Sequence, residues 1–137
     1  MGGKMGKVAK DIMNKKLETI SADATVYDAI ERLIDKRIRS LLVLPKNHDD
    51  SYGVVTVRNI IFKVLAKNLD PHKIKIGDIA SKPVLCVPQD TPLEKILEIM
   101  NSHNIARVFI TDENKKIIGV VSFFDVLYNV LIEQAKK

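Results

Sequence analysis

The sequence predicts an α+β protein made of two βαββα repeats, packed through their sheets about a pseudo-twofold axis. Three observations carry this. Sliding the sequence by 67 positions puts Asp11-Ile12 on Asp78-Ile79, Lys15 on Lys82, Asp23 on Asp90 and Ile38 on Ile105. With one residue fewer in a loop, Gly53-Val54-Val55-Thr56 then falls on Gly119-Val120-Val121-Ser122. The apolar pattern repeats with the letters: Val26, Ala29, Ile30 and Leu33 share the helical spacing of Leu93, Ile96, Leu97 and Met100. Finally, a unit of about 60 residues with a three-stranded sheet is marginal alone, so each copy needs the other to cover its sheet.

Each repeat opens with a short apolar strand, around Glu18–Ile20 and Leu85–Val87, followed by an Asp-marked turn and the amphipathic helix. Thr91, Pro92 and Glu94 predict the start of the second of these helices, with Thr91 as cap. Branched residues then predict strands at Leu41–Leu44 and Val108–Thr111, polar turns at 45–52 and 112–116, and closing strands at Gly53–Val57 and Ile117–Ser122. A second helix follows each closing strand, carrying Ile60, Ile61, Val64 and Leu65 in one copy and Val126, Leu127, Val130 and Leu131 in the other. The boundaries expected are a tail over 1–7, the first repeat over 8–67, a linker over 68–75 broken by Asp70-Pro71, the second repeat over 76–132 and a tail over 133–137.

Composition narrows the class of function. With 46% hydrophobic and 28% charged residues the chain reads as an ordinary globular protein. No apolar run is long enough for a membrane span, and neither a signal peptide nor a complete lipidation motif is visible at Met1-Gly2-Gly3-Lys4. A single cysteine, Cys86, cannot form an internal disulfide, which suits a reducing, cytoplasmic setting; its apolar neighbours suggest a buried small hydrophobe. The net charge of +5 comes from scattered lysines without interleaved aromatics, which favours an anionic small ligand or a solvated basic face over a nucleic-acid track. His48, His72 and His103 lack metal-ligand spacing, and no nucleophile–base pair or Gly-rich phosphate loop is present, so neither a metal site nor an enzyme is expected. Asp49-Asp50 reads as a solvated turn, and Tyr27, Tyr52, Phe109 and Phe123 as core or site-lining residues.

The two ordered copies, and above all Gly119-Val120-Val121-Ser122-Phe123-Phe124-Asp125, which has the form G-h-h-[ST]-x-x-D with h apolar, resemble a pair of cystathionine β-synthase (CBS) domains. The resemblance spans about residues 8–132 and implies a stand-alone, non-catalytic regulatory module. It implies binding of an adenosine-containing ligand (AMP, ADP, ATP or S-adenosylmethionine) in clefts between the repeats, with no cofactor required. It also implies a homodimer formed through apolar helix faces, and output through a partner protein.

Carried onto these residues, the resemblance puts Asp125 on the ribose hydroxyls and Ser122 on the ribose–phosphate side, with Lys16, Leu17, Glu18, Ile38 and Arg39 completing that site. A carboxylate at a helix start suits a cis-diol, and an arginine offers a phosphate a bidentate fork. The second site would take Leu85, Ile105 and Arg107 with Thr56, Arg58 and Asn59. There Asn59 stands where the pattern has Asp, so this site is expected to be weaker, empty or tuned to a more highly phosphorylated ligand. Two plainer readings stay open. Ser122 and Asp125 also make an ordinary helix start, and Arg39 or Arg107 an ordinary surface ion-pair partner. The competing function is an interaction module for nucleic acid or protein, with the clefts vestigial.

Overall fold

The computed structural model describes residues 6–136. In chain order the elements are α1 (Ala9–Ile12), β1 (Thr19–Ser21), α2 (Val26–Lys36), β2 (Ser40–Leu44), β3 (Gly53–Thr56) and α3 (Val57–Ile60), which runs on as a π-helical turn at Ile61–Leu65. A 3-10 turn at Ile76–Asp78 leads to β4 (Cys86–Pro88), α4 (Leu93–His103), β5 (Arg107–Thr111), β6 (Ile117–Ser122) and α5 (Phe123–Ala135). They form two compact units.

The first-repeat unit is Glu18–Val84. Its sheet has the order β1-β2-β3, with β1 parallel to β2 (Ile20 opposite Val43) and β2 antiparallel to β3 (Leu41 opposite Val55). α2 begins in a capping box: Thr25 Oγ1 accepts the Asp28 N–H at 3.1 Å and Asp28 Oδ2 accepts the Thr25 N–H at 3.0 Å. Its apolar face, Val26, Ala29 and Leu33, is buried with Leu41, Val43 and Val55. The 68–75 segment is fastened rather than free. Tyr27 N–H donates to Pro71 O, Val26 N–H donates to Ile74 O, and the Tyr27 and His72 rings stack with centroids 4.1 Å apart.

The second-repeat unit joins the described residues up to Leu17 to those from Leu85 on. Its sheet, β4-β5-β6, repeats the pattern, with Val87 opposite Ile110 in parallel and Val108 opposite Val121 antiparallel. Leu93, Ile96 and Met100 of α4 are buried with Val108, Ile110 and Val121. α2 and α4 end alike, at left-handed Arg37 (φ 55°) and Asn104 (φ 52°).

The compact units cross the repeat boundaries. The leader of each repeat packs on the sheet of the other. In the first-repeat unit Ser81 and Val54 exchange two backbone hydrogen bonds of 2.9 and 3.0 Å. In the second, Asn14 and Val120 do the same at 2.8 and 3.0 Å. The glycines at the head of the two motifs permit this. A Cβ on Gly119 would meet Met13 Sδ at 2.6 Å and Asn14 O at 3.1 Å, and one on Gly53 would meet Lys82 Cγ at 3.0 Å and Ser81 O at 3.2 Å. These glycines serve close approach, and neither has a positive φ.

Several sequence expectations are corrected. β1 and β4 start one residue later than read, because pairing with β2 and β5 and not local apolarity sets their ends. Thr91 is not the cap of α4. That position is Pro92, and no side chain caps the helix. Cys86 is exposed on edge strand β4, although partial burial still pushes its thiol pKa up. Of the aromatics, only Phe109 is buried; Tyr27 and Phe123 are exposed and Tyr52 is intermediate. Asp50 is an anchored carboxylate whose Oδ1 lies 2.8 Å from Lys82 Nζ. Helix α5 runs into the 133–137 segment read as a tail, and Lys7 pairs with Glu133. The tail residues 1–5 and 137 lie outside the described residues.

Candidate ligand-binding site

The site is best built from the end of β6. Ser122, extended at φ −110°, is both the last residue of that strand and the cap of the 13-residue α5. Asp125 Oδ2 accepts the Ser122 N–H at 2.7 Å and the Ser122 hydroxyl at 2.9 Å, while Ser122 Oγ accepts the Asp125 N–H at 3.4 Å. One carboxylate oxygen is therefore committed to the fold. Oδ1 accepts no hydrogen bond among the described residues, which leaves a half-buried anionic acceptor at the helix start. The sequence reading has this carboxylate accepting two hydroxyl protons at once; in this geometry Oδ1 is the oxygen left without a hydrogen bond among the described residues.

Across the sheet, Arg107 on β5 stands opposite Ser122 in register, so the two side chains share one face. Arg107 is half-buried, and desolvation pulls its guanidinium pKa down. It makes no ion pair with a carboxylate among the described residues. A desolvated cation without a counter-ion is suited to receive an anion.

Lys16 and Leu17 belong to this same unit. Asn14, hydrogen-bonded to Val120 two residues before Ser122, accepts the Lys16 N–H on its side-chain oxygen at 2.9 Å. The unit thus holds Lys16, Leu17, Ser122 and Asp125 together with Leu85, Ile105 and Arg107, which the sequence reading gave to the other site. Leu85 O accepts the Phe109 N–H, and Ile105 packs against the core and donates to Met100 O.

The first-repeat unit carries the remaining residues. Glu18 O accepts the Leu42 N–H, and its carboxylate lies 3.7 Å from Lys36 Nζ. Ile38 packs on the core, and Arg39 is exposed, with its carbonyl accepting the Val57 N–H. Thr56 and Asn59 repeat the capping box, each accepting the other's backbone N–H at 3.0 Å. Here the amide oxygen is the committed atom, so the group left over is an uncharged NH2 donor. Arg58 is drawn onto Phe62, its guanidinium carbon 5.1 Å from the ring centroid.

Asn14 was missed by sequence reasoning. Its signal is the duplication itself, since it stands at the position of Ser81. No group of three His, Cys, Asp or Glu residues able to hold a metal occurs among the described residues, and no described helix is long and apolar enough to cross a membrane.

Two ordered capping boxes on two matched sheets define a duplicated module, and the CBS domain profile matches residues 9–66 and 76–132. The chain belongs to the CBS domain family, as a CBS pair. It is 34% identical over 125 residues to an uncharacterized protein of Methanocaldococcus jannaschii, covering 90% of this chain and 66% of that one, so it spans just under two thirds of that relative. A hexameric CBS-CP12 protein from bloom-forming cyanobacteria superposes with a TM-score of 0.80 at 31% identity, over 89% of this chain and 67% of that one. The CBS domain pair of the protein MJ0100, solved with 5′-methylthioadenosine and S-adenosyl-L-methionine, superposes with a TM-score of 0.75 at 25% identity, over 96% of this chain and 98% of that one.

Proposed function

We propose that this CBS pair is a non-catalytic regulatory module that binds an adenosine-containing ligand (AMP, ADP, ATP or S-adenosylmethionine) with its ribose on Asp125. The observation that carries the reading is Asp125 Oδ1, an anionic acceptor left over when the capping box has taken Oδ2. A ribose hydroxyl donates well to such an oxygen. Arg107, half-buried and without a carboxylate partner among the described residues, suits the phosphate or another anionic group. By the family resemblance Lys16, Leu17, Glu18, Ile38 and Arg39 complete the site, with Arg39 or Lys16 as a cation for the phosphate. The related pair solved with two adenosine compounds supports the ligand class.

The first-repeat position, with Asn59 in place of Asp, lacks the anionic acceptor, and we assign it lower affinity for a ribose. Occupancy would act on a partner chain or on a second copy of this one. The exposed face of α5 suits the second copy, with Phe124, Leu127, Tyr128 and Leu131 all more than 60% accessible. We place the protein in the cytoplasm, because a sequence with one cysteine forms no internal disulfide and suits a reducing setting.

A second reading, an interaction module with vestigial sites, is favoured by that same apolar face and by the net charge of +5. Salt separates the two. Binding through nucleic-acid phosphates falls steeply between about 50 and 200 mM salt, whereas binding at a half-buried adenosine site changes little.

The direct test is calorimetry with AMP, ATP and S-adenosylmethionine on the parent and on Asp125→Asn. The first repeat shows that asparagine completes the same box, so this variant removes the charge and keeps the cap. Loss of affinity by about tenfold or more at unchanged melting temperature supports the reading. Unchanged affinity rejects Asp125 as the ribose ligand.

A further inference from the structure

We propose that residues 13–17 form a flap on the second-repeat unit, less firmly tied than its counterpart in the first-repeat unit and closed by ligand at Ser122 and Asp125. The second half of this proposal rests on the nucleotide reading above; the first half does not.

The duplication supplies an internal control. Each leader is held by the same pair of backbone hydrogen bonds, Ser81 with Val54 in one unit and Asn14 with Val120 in the other. In the first-repeat unit two side chains reinforce that hold at the same end of the leader. Lys63 Nζ donates to Ile79 O at 3.0 Å, and Lys82 Nζ lies 2.8 Å from Asp50 Oδ1. Asp50 is itself fixed, accepting the N–H groups of Lys46 and Ser51.

Both ties are missing in the second-repeat unit. The motif shift that places Asn59 on Asp125 places Lys63 on Asn129, and Asn129 is 6% exposed with no side-chain hydrogen bond among the described residues. Lys15 stands at the place of Lys82, and it makes no ion pair among them either. The motif shift places Asp50 on Lys116, so no carboxylate stands there; the aspartate of that loop, Asp112, accepts the N–H groups of Asn114 and Lys116.

What holds this leader by side-chain charge is at the far end. Lys7 Nζ lies 3.2 Å from Glu133 Oε1, a contact of charge rather than of hydrogen-bond geometry. The segment is thus anchored at residues 7–10, where Ala9 is fully buried, and lightly tied at 13–17. Its light end carries Lys16 and Leu17 and starts beside Val120, two residues before Ser122. A ligand touching both would add the missing tie, and by linkage it would hold the flap closed.

Amide hydrogen exchange on the intact chain tests this. Without ligand, the Asn14 and Val120 amides are expected to exchange about tenfold or more faster than those of Ser81 and Val54. Asn129→Lys restores the missing side chain and should slow Asn14. Lys63→Asn removes the tie from the other unit and should speed Ser81, which keeps the comparison alive if the buried lysine is not tolerated. AMP at saturation should slow Asn14, Lys16 and Leu17 in the parent. Equal protection of the two leaders, or no response of Ser81 to Lys63→Asn, overturns the unequal tying. AMP that binds by calorimetry without protecting 13–17 overturns closure by ligand. If AMP, ATP and S-adenosylmethionine all fail to bind, the nucleotide reading falls together with closure, and unequal tying is decided by the unliganded comparison.

Discussion

Asp50 shows how one side chain can settle a loop. Hydrogen bonding to Lys82, then to the Lys46 backbone, holds its pKa down at about 2, against a usual 3.8. A carboxylate with a depressed folded-state pKa adds stability that is present above pH 3.8 and lost as pH falls through about 2. Asp50→Asn should therefore melt lower than the parent at neutral pH, with the gap closing between pH 4 and 2; a gap independent of pH would reject the assignment. Gly119 makes a second prediction at this scale. Its missing Cβ leaves the space that Met13 occupies, so Gly119→Ala should cost about 1–3 kcal/mol in a denaturant titration, and Gly53→Ala less, since the nearest atom there, Lys82 Cγ, stands at 3.0 Å against 2.6 Å for Met13 Sδ.

At the scale of elements, most of the fold was legible in the sequence. The 3.6-residue spacing of Val26, Ala29 and Leu33 and of Leu93, Ile96 and Met100 marked α2 and α4 because those side chains meet one core each. What the letters hid depends on pairing between distant segments. Nothing local in Met13-Asn14 says that it lies along Val120, so the leaders and Asn14 went unread. Thr91 misled because a threonine before proline and glutamate fits a capping box, yet the chain enters α4 at Pro92 with extended geometry. Ser122 and Asp125 were legible as a cap, with the ligand role implied by the family resemblance, and the structure shows that the cap takes one carboxylate oxygen and leaves the other. Ser122→Ala should then cost about 1 kcal/mol of stability through the lost cap. If it costs nothing by thermal melting, the box does not hold α5.

At the scale of the whole molecule, the exposed apolar face of α5 is the feature least like a monomer's surface. Leu127 and Leu131 lie one helical turn apart and are each more than 60% accessible, so Leu127→Glu with Leu131→Glu should leave the fold intact. Sedimentation should show the parent as a dimer or larger and the double variant as a monomer; two monomers would remove the self-association reading.

The central claim is that Asp125 reads a ribose, and the measurement that bears on it most directly is calorimetric titration of AMP, ATP and S-adenosylmethionine into the parent and Asp125→Asn. At least one of them is expected to bind the parent, raising its stability by about 2.7 kcal/mol at a hundredfold excess over Kd. Asp125→Asn is expected to weaken that binding about tenfold or more while melting as the parent does without ligand. If no adenosine compound binds, or if the asparagine variant binds as tightly as the parent, Asp125 is a helix cap and nothing more.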